Sequence, residues 1–380
     1  MTSYENEIKA ATARFEATLR SQLERSLKLE QSEQTVQQNE RPIKIGILPG
    51  DDELPAVMEA AEAVLRTLLL KQIQDGAVEI IRIEGLHMQG RLTTGKAVPT
   101  ELLAKIKDCR LILKGAWRNP DACGLESVDA VLRKELDLYA HIRPVLNQSE
   151  GTEWVLFQEI AEGERLLGAH GLEVQDLLSI DFKVTTAAGA LRFARAAFAY
   201  AKIRGFSKMA VAVKDYEIKK TDGCFARAFH TAAGEYDGIE VAFWDPGRLA
   251  AGLQDPEIGR QMQILVMPDL YGGIIIDEVE QLQCKALCAG YAQVGDGTSL
   301  FGAVSRQRMA WVNHERGKAV EFYGMMQAVQ LLLDAAGYHH LADQLLDALR
   351  ICETKAQKNQ EGSVDIVQYI DCLLQSIEEM

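Results

Sequence analysis

An α/β fold with a substantial parallel sheet is what this 380-residue chain predicts. Two features carry that expectation. From Ile43 onward, short apolar runs alternate with longer helical stretches, and the runs are bounded by glycine, proline or charge. In the middle of the chain a strongly apolar helical stretch is followed directly by another short apolar run, the same alternation again.

Taken in order, "IKIGILPG" reads as a buried strand, "LPAVMEAAEAVLRTLLLKQ" as a helix, "VEIIRIEG" as a strand and "CRLILKG" as a strand ending in glycine. "ALRFARAAFAYAKIRG" is a helix and "KMAVAVK" the strand after it. "QILV" reads as a strand that runs into a loop, "VMPDLYGGIIIDE", whose Asp277 and Glu278 close an apolar triplet at the first turns of a further helix. The stretch "FYGMMQAVQLLLDAAGYHHLADQLLDALR" reads as helical throughout, with Met325 and Met326 as core packing and His339 and His340, in "GYHHLAD" between two helices, as caps or exposed side chains.

The first 40 residues differ from the rest. Ile8, Ala11, Phe15, Leu19, Leu23 and Leu27 recur at steps of three and four among charged residues, the stripe of an amphipathic helix. The polar linker "EQSEQTVQQNERP" follows and stops at Pro42. Such a helix packs on its own domain or docks on a partner subunit, and the residues leave both readings open.

Composition narrows the function classes. The length fits two to three domains, and a net charge of −14 argues against nucleic acid or an anionic membrane as partner. No run approaches the roughly 18 apolar residues of a bilayer span. The opening "MTSYENEIKA" lacks a signal peptide's basic and apolar regions, so a cytoplasmic location is expected. Seven cysteines without a paired framework suit a reducing compartment. Cys284 and Cys288 lack a second pair to complete a zinc set.

Four segments, "SVDAVLRKELDLYAHIRPV", "ALRFARAAFAYAKIRG", "VKDYEIKKTDG" and "ILVMPDLYGGIIIDE", resemble in order and spacing the isocitrate and isopropylmalate dehydrogenases, a family of β-decarboxylating 2-hydroxyacid dehydrogenases. The resemblance runs from about Ile43 to the C-terminal helices. It implies a large α/β domain from both chain ends, residues 41–138 and 280–380, and a smaller central α/β domain, 139–279, beside the N-terminal helical extension, 1–40. It also implies a dimer whose sites are shared. Members oxidise a hydroxyl with NAD or NADP, then decarboxylate the keto acid with Mg²⁺ or Mn²⁺ as Lewis acid.

Residue by residue, the resemblance assigns Ser127, Arg133 and Arg143 to substrate carboxylates, with Ser127 typical of the isocitrate-type branch. The family's "RENTEGEY" is "QEIAEGER" here, so Gln158 stands at a third arginine and Arg165 at the catalytic tyrosine. Asp129 replaces a substrate-holding asparagine, and its charge would repel a polycarboxylate unless neutralised. Lys214 matches the lysine that works with the tyrosine in proton transfer, and Tyr216 replaces an asparagine beside it. For the metal, Asp245 and Asp277 remain while Gly273 occupies a lost ligand position, with Asp269 as a substitute on the same loop.

The cofactor motifs are more altered still. A family loop close to "HGSAPDIAGKGIANP" is "SRQRMAWVNHERGKAVEFYG" here, placing Arg306, Met309 and Trp311 where small residues admit adenosine. "GDGIGPE" has become "GDDELPA". No NAD or NADP binding in the family manner is expected. Arg306, Arg308, Arg316 and Lys318 form either a solvated basic loop or a site for an anionic effector.

Three readings follow: a non-catalytic or regulatory family member, an active metal- and NAD(P)-dependent oxidative decarboxylase, or a cleft reused for another reaction without NAD. One pattern favours the first. In the family, the lysine and one aspartate are lent to the neighbouring subunit's site, and Lys214 and Asp245 keep those positions. The losses at Gln158, Arg165, Gly273 and the cofactor loop fall among residues that each chain contributes to its own site. A homodimer, or a mixed oligomer with a catalytically complete homologue, is expected.

Overall fold

A computed structural model describes residues 2–31, 42–51, 55–118, 125–147, 152–167, 171–174, 177–282, 290–304, 314–358 and 366–379. The chain divides into two compact units. One comprises Met1–Thr35, Tyr139–His141 and Leu146–Cys284; the other comprises Val36–Leu138, Ile142–Val145 and Lys285–Met380. Strand β4 (Ala140–Asn147) contributes residues to both.

In the second unit, β1 (Ile43–Leu48) is flanked by parallel neighbours, β2 (Val78–Arg82) on one side and β3 (Leu111–Lys114) on the other. Ile45 lies level with Ile80 and with Leu111. β12 (Ser299–Ala303) runs parallel to β3, and β11 (Gly290–Val294) pairs antiparallel with β12. All four residues of β3 are buried, as a central strand covered on both faces requires. At the carboxyl end of β1 the chain turns at Gly50, whose φ is 83°. A Cβ there would meet the Ala116 carbonyl at 2.4 Å, so only glycine fits.

Helices α2 (Pro55–Leu68), α3 (Leu70–Gln74), α4 (Met88–Thr94), α5 (Thr100–Lys107) and α6 (Val128–Glu135) connect these strands. α12 (His314–Ala335) packs on β11, β12 and α2, followed by α13 (His339–Lys358) and α14 (Ile366–Glu378). Met325 and Met326 are buried in this packing, as their apolar setting suggested. The break between two helices expected at "GYHHLAD" is present. Gly337, at φ 84°, takes the left-handed conformation that ends α12, and the exposed His339 and His340 open α13.

In the first unit, β5 (Thr152–Glu159), β10 (Ile264–Met267), β8 (Lys208–Ala212) and β9 (Glu240–Trp244) lie side by side in that order, all parallel. β6 (Leu172–Val174) and β7 (Leu178–Ile180) form a separate antiparallel hairpin. α7 (Ala187–Arg204) and α8 (Thr221–Ala233) pack together through a cluster of aromatic rings, with Phe193 against Phe225 at 5.7 Å and Phe198 against Phe229 at 6.1 Å. α9 (Pro246–Leu253), α10 (Pro256–Gly259) and α11 (Asp269–Leu282) complete the unit. The N-terminal helix α1 (Thr2–Gln31) packs on β6 and α7. Of the two readings the sequence left open, it therefore meets its own unit.

No helix among the described residues is long and apolar enough to cross a membrane.

Candidate functional site

The segment read as a loop after "QILV" is corrected to helix: α11 begins at Asp269, directly after Pro268. Proline is compatible with a helix start because its missing N–H has no intrahelical partner there. Asp269, Gly273 and Asp277 thus stand four apart on one helical face. The two adjacent glycines differ in kind. A Cβ at Gly272 would lie 2.4 Å from Gln158 Cγ, whereas one at Gly273 would meet nothing within 4 Å. Gly272 lets α11 approach β5, and Gly273, set by the sequence resemblance at a metal-ligand position, faces open space.

Asp269 is buried, and its carboxylate is fully engaged. Arg165 Nε donates to Oδ2 at 2.6 Å and its Nη2 donates to Oδ1, a two-pronged fork. Gln158 Nε2 donates to the Asp269 carbonyl at 2.7 Å. Burial works against the charge on Arg165, but the hydrogen bond and charge of Asp269 outweigh it and raise its pKa. Asp269 is therefore tied to Arg165 and Gln158, the residues that the sequence resemblance sets at the family's tyrosine and arginine positions.

Beside this pair lies a buried carboxylate that no motif announced. Glu159 accepts from the backbone N–H of Ala161 at 2.8 Å and of Glu162 at 3.0 Å. Burial first, and then the charge of Glu162, push its pKa up to about 8. Glu162 sits at the N-terminus of α7, accepting from Thr186 N at 2.7 Å and Thr186 Oγ1 at 2.6 Å. It also accepts from Arg25 Nη1 of α1 at 2.9 Å.

Lys214 and Asp245 meet in a separate cluster of the same unit. Asp245 caps α9, accepting from Gly247 N at 2.9 Å and Arg248 N at 3.1 Å. Its Oδ2 accepts from Tyr216 Oη at 2.8 Å and lies 3.7 Å from Lys214 Nζ. The Tyr216 hydrogen bond, followed by the Arg248 N–H, lowers the Asp245 pKa. Glu217 first, then Tyr216 and Asp245, raise that of Lys214. Lys214 therefore stays a cation near neutral pH.

α11 joins the two clusters. Tyr271 Oη donates to Asp222 Oδ2 at 3.0 Å, the oxygen that also accepts from Lys214 N at 2.8 Å. Lys183 Nζ donates to Asp222 Oδ1 at 2.7 Å and lies over the Tyr271 ring at 4.7 Å. Asp222 is wholly buried and thus held by three donors.

The remaining substrate positions belong to the second unit. Ser127 precedes α6, Arg133 lies on α6 and Arg143 is buried on β4. Asp129, in the first turn of α6, is paired with the buried Lys114 at 2.5 Å. Burial opposes the lysine's charge, yet Asp129 and Tyr291 hold it and raise its pKa. The repulsion expected from Asp129 is thus neutralised within the chain, by a lysine whose partner lies 15 residues away. In "GDDELPA", Asp51 is likewise taken: its carboxylate pairs with the buried Arg91 and accepts from Arg118 N at 3.2 Å.

Among the described residues no three His, Cys, Asp or Glu side chains gather as a metal site. On this chain Asp277 is exposed, Gly273 offers no oxygen and Asp269 is committed to Arg165, so the donor set of α11 does not fit a divalent ion. Cys284, Cys288, Arg306, Arg308, Met309 and Trp311 lie outside the described residues, and so do the side chains of Arg316 and Lys318.

Parallel strands joined by helical crossovers define an α/β fold, a class in which ligands bind at the carboxyl ends of the strands. Residues 44–289 match the family model for isocitrate/isopropylmalate dehydrogenase, and the chain belongs to that family. It is 29% identical to 3-isopropylmalate dehydrogenase of Methanothermobacter thermautotrophicus over 273 residues, 70% of this chain and 77% of that protein. It is 26% identical to a mitochondrial regulatory subunit of NAD isocitrate dehydrogenase from Dictyostelium discoideum over 357 residues, 88% and 92% of the two chains. Isocitrate dehydrogenase from Methylococcus capsulatus has the same fold, with a TM-score of 0.73 at 23% identity over 88% of this chain and 99% of that one.

Proposed function

We propose that this chain is a non-catalytic, regulatory member of its family, which completes the active site of a catalytically complete partner while its own site is silent. One observation carries the reading: the guanidinium of Arg165, at the position of the family's proton-transferring tyrosine, is spent on the buried carboxylate of Asp269. A guanidinium keeps its proton near neutral pH, so Arg165 neither gives nor takes one. The same ion pair removes Asp269 as a replacement metal ligand, and Gly273 supplies none.

Lys214, Tyr216 and Asp245 form a second arrangement. They lie just beyond the strand ends of β8 and β9, with Tyr216 exposed and Lys214 and Asp245 half-buried, and they are held to one another and not to Arg165. In this reading they are the groups offered to a neighbouring subunit. Lys214 brings a fixed positive charge, and Asp245 brings a carboxylate whose lowered pKa keeps it ionised. Ser127, Arg133 and Arg143, with Asp129 neutralised by Lys114, retain affinity for a polycarboxylate bound without turnover. A family relative that is itself a regulatory subunit supports the assignment.

The test is an assay of the purified chain with isocitrate, NAD and Mn²⁺, beside calorimetric titration of each ligand. Polycarboxylate binding without NAD reduction is the expected result. Measurable turnover by the chain alone, with micromolar NAD affinity, would replace this reading by that of an active decarboxylating dehydrogenase.

A further inference from the structure

Helix α1 is amphipathic in an unusual sense. Most of its large apolar side chains are not the ones it buries; Leu29 turns inward, and Phe15 lies at the edge, stacked on its own unit yet partly exposed. Ile8, Phe15, Leu19, Leu23 and Leu27 are between 41 and 62% exposed. The side turned towards its own unit carries Ala11, Thr18, Gln22, Arg25 and Leu29. The helix is anchored there by the ion pair of Arg25 with the buried Glu162 and by Phe15 stacked on Phe182, with ring centroids 5.3 Å apart. The leucine stripe is thus fixed in orientation and left uncovered by the described residues. Leu178 and Ile180, on the hairpin strand β7, are further exposed apolar side chains of the same unit. Exposed patches of this kind mark association sites.

We infer that the stripe pairs with the same stripe of a second copy of this chain, as an antiparallel helix pair. The spacing is self-complementary. Phe15, Leu19, Leu23 and Leu27 are symmetric about residue 21, so a two-fold axis there sets Phe15 against Leu27 and Leu19 against Leu23 of the second copy. Charge agrees with the same occupant. α1 holds five acidic and five basic residues and is neutral, so the net −14 of the chain falls entirely outside it. Two copies approach through α1 without the repulsion their remaining surfaces would meet. Because the helix is already docked and formed, pairing orders little new chain. This inference concerns the assembly alone and does not rest on the catalytic reading.

The experiment uses the full chain. Sedimentation of the native protein at micromolar concentration is compared with that of Leu19→Glu/Leu23→Glu, two exposed positions whose change leaves the buried side of α1 intact. The expected result is a mass twice that of the variant. Equal masses would overturn the proposal, as would association of the native chain only with a different protein, or sedimentation with neutral lipid vesicles in place of self-pairing. Cross-linking with a short bismaleimide tests the register independently of the charge change, with the native chain as the thiol control. In the antiparallel pair, Leu23→Cys stands about 6 Å along the axis from its copy and Ile8→Cys about 39 Å, at ~1.5 Å per residue. Only Leu23→Cys should yield a covalent dimer above the native background. Cross-linking of both, or of neither, would contradict the arrangement.

Discussion

Arg165 and Asp269 show how a pair of charges redefines a site at the level of single residues. Asp269 is buried, and Arg165 and Gln158 supply its hydrogen bonds. Arg165→Tyr would leave that buried carboxylate without its counter-charge, at a cost of roughly 1–3 kcal/mol, below that of a fully buried pair because Arg165 itself is exposed. The expected outcome is a lower urea midpoint and no gain of turnover; Arg165→Tyr/Asp269→Asn, which removes both charges, should recover most of the loss. Glu159 gives a second test with a definite sign. Its pKa in the fold, about 8, lies above the ordinary 4.5, so the folded chain holds a proton there that the unfolded chain releases. That stabilisation is complete below about pH 4.5 and is lost as pH rises through about 8, at up to ~1.4 kcal/mol per pH unit. Thermal melts should therefore show this contribution falling from pH 5 to 8.5, and Glu159→Gln should flatten the trend. Neither pairing was legible in the sequence. Arg165 and Asp269 are 104 residues apart, and Glu159 differs from any surface glutamate only by the strand it ends.

At the scale of elements, most of the fold was legible because the strands are short apolar runs and the helices between them long. "CRLILKG" and "KMAVAVK" became β3 and β8, and "ALRFARAAFAYAKIRG" became α7, closed by Gly205 at φ 70°. The failures were at glycine. Gly272 and Gly273 suggested a loop, but Gly272 is there because α11 packs closely on Gln158, and Gly273 lies inside the helix for no reason of space. A glycine in a helix interior costs about 1 kcal/mol relative to alanine. Gly273→Ala should accordingly stabilise the protein by roughly 0.5–1 kcal/mol in chemical denaturation, with no effect on the Arg165 pair. By contrast, "GYHHLAD" was legible as a break between two helices, and Gly337 there ends α12. The stripe of α1 was read correctly as a helix, but its exposure depends on Arg25 and Phe15 fixing which side faces inward.

For the whole molecule, the proposed reading divides the candidate machinery into a first set, in which Arg165 is spent on the buried carboxylate of Asp269, and a second, Lys214 with Asp245, offered to another subunit. The sequence distinguished these two sets of positions by their resemblance to the family; what it could not supply was the partner charge that closes the first. The claim that the second set works in a neighbour's site is tested most directly by co-expressing the chain with a catalytically complete homologue from the same cell, purifying the mixed assembly, and measuring its oxidative decarboxylation of isocitrate with NAD and Mn²⁺. Lys214→Met in this chain should lower the turnover of the mixed assembly by on the order of 10²-fold or more while leaving the assembly intact. Unchanged turnover in an intact mixed assembly, or turnover by this chain in the absence of the homologue, would contradict the account.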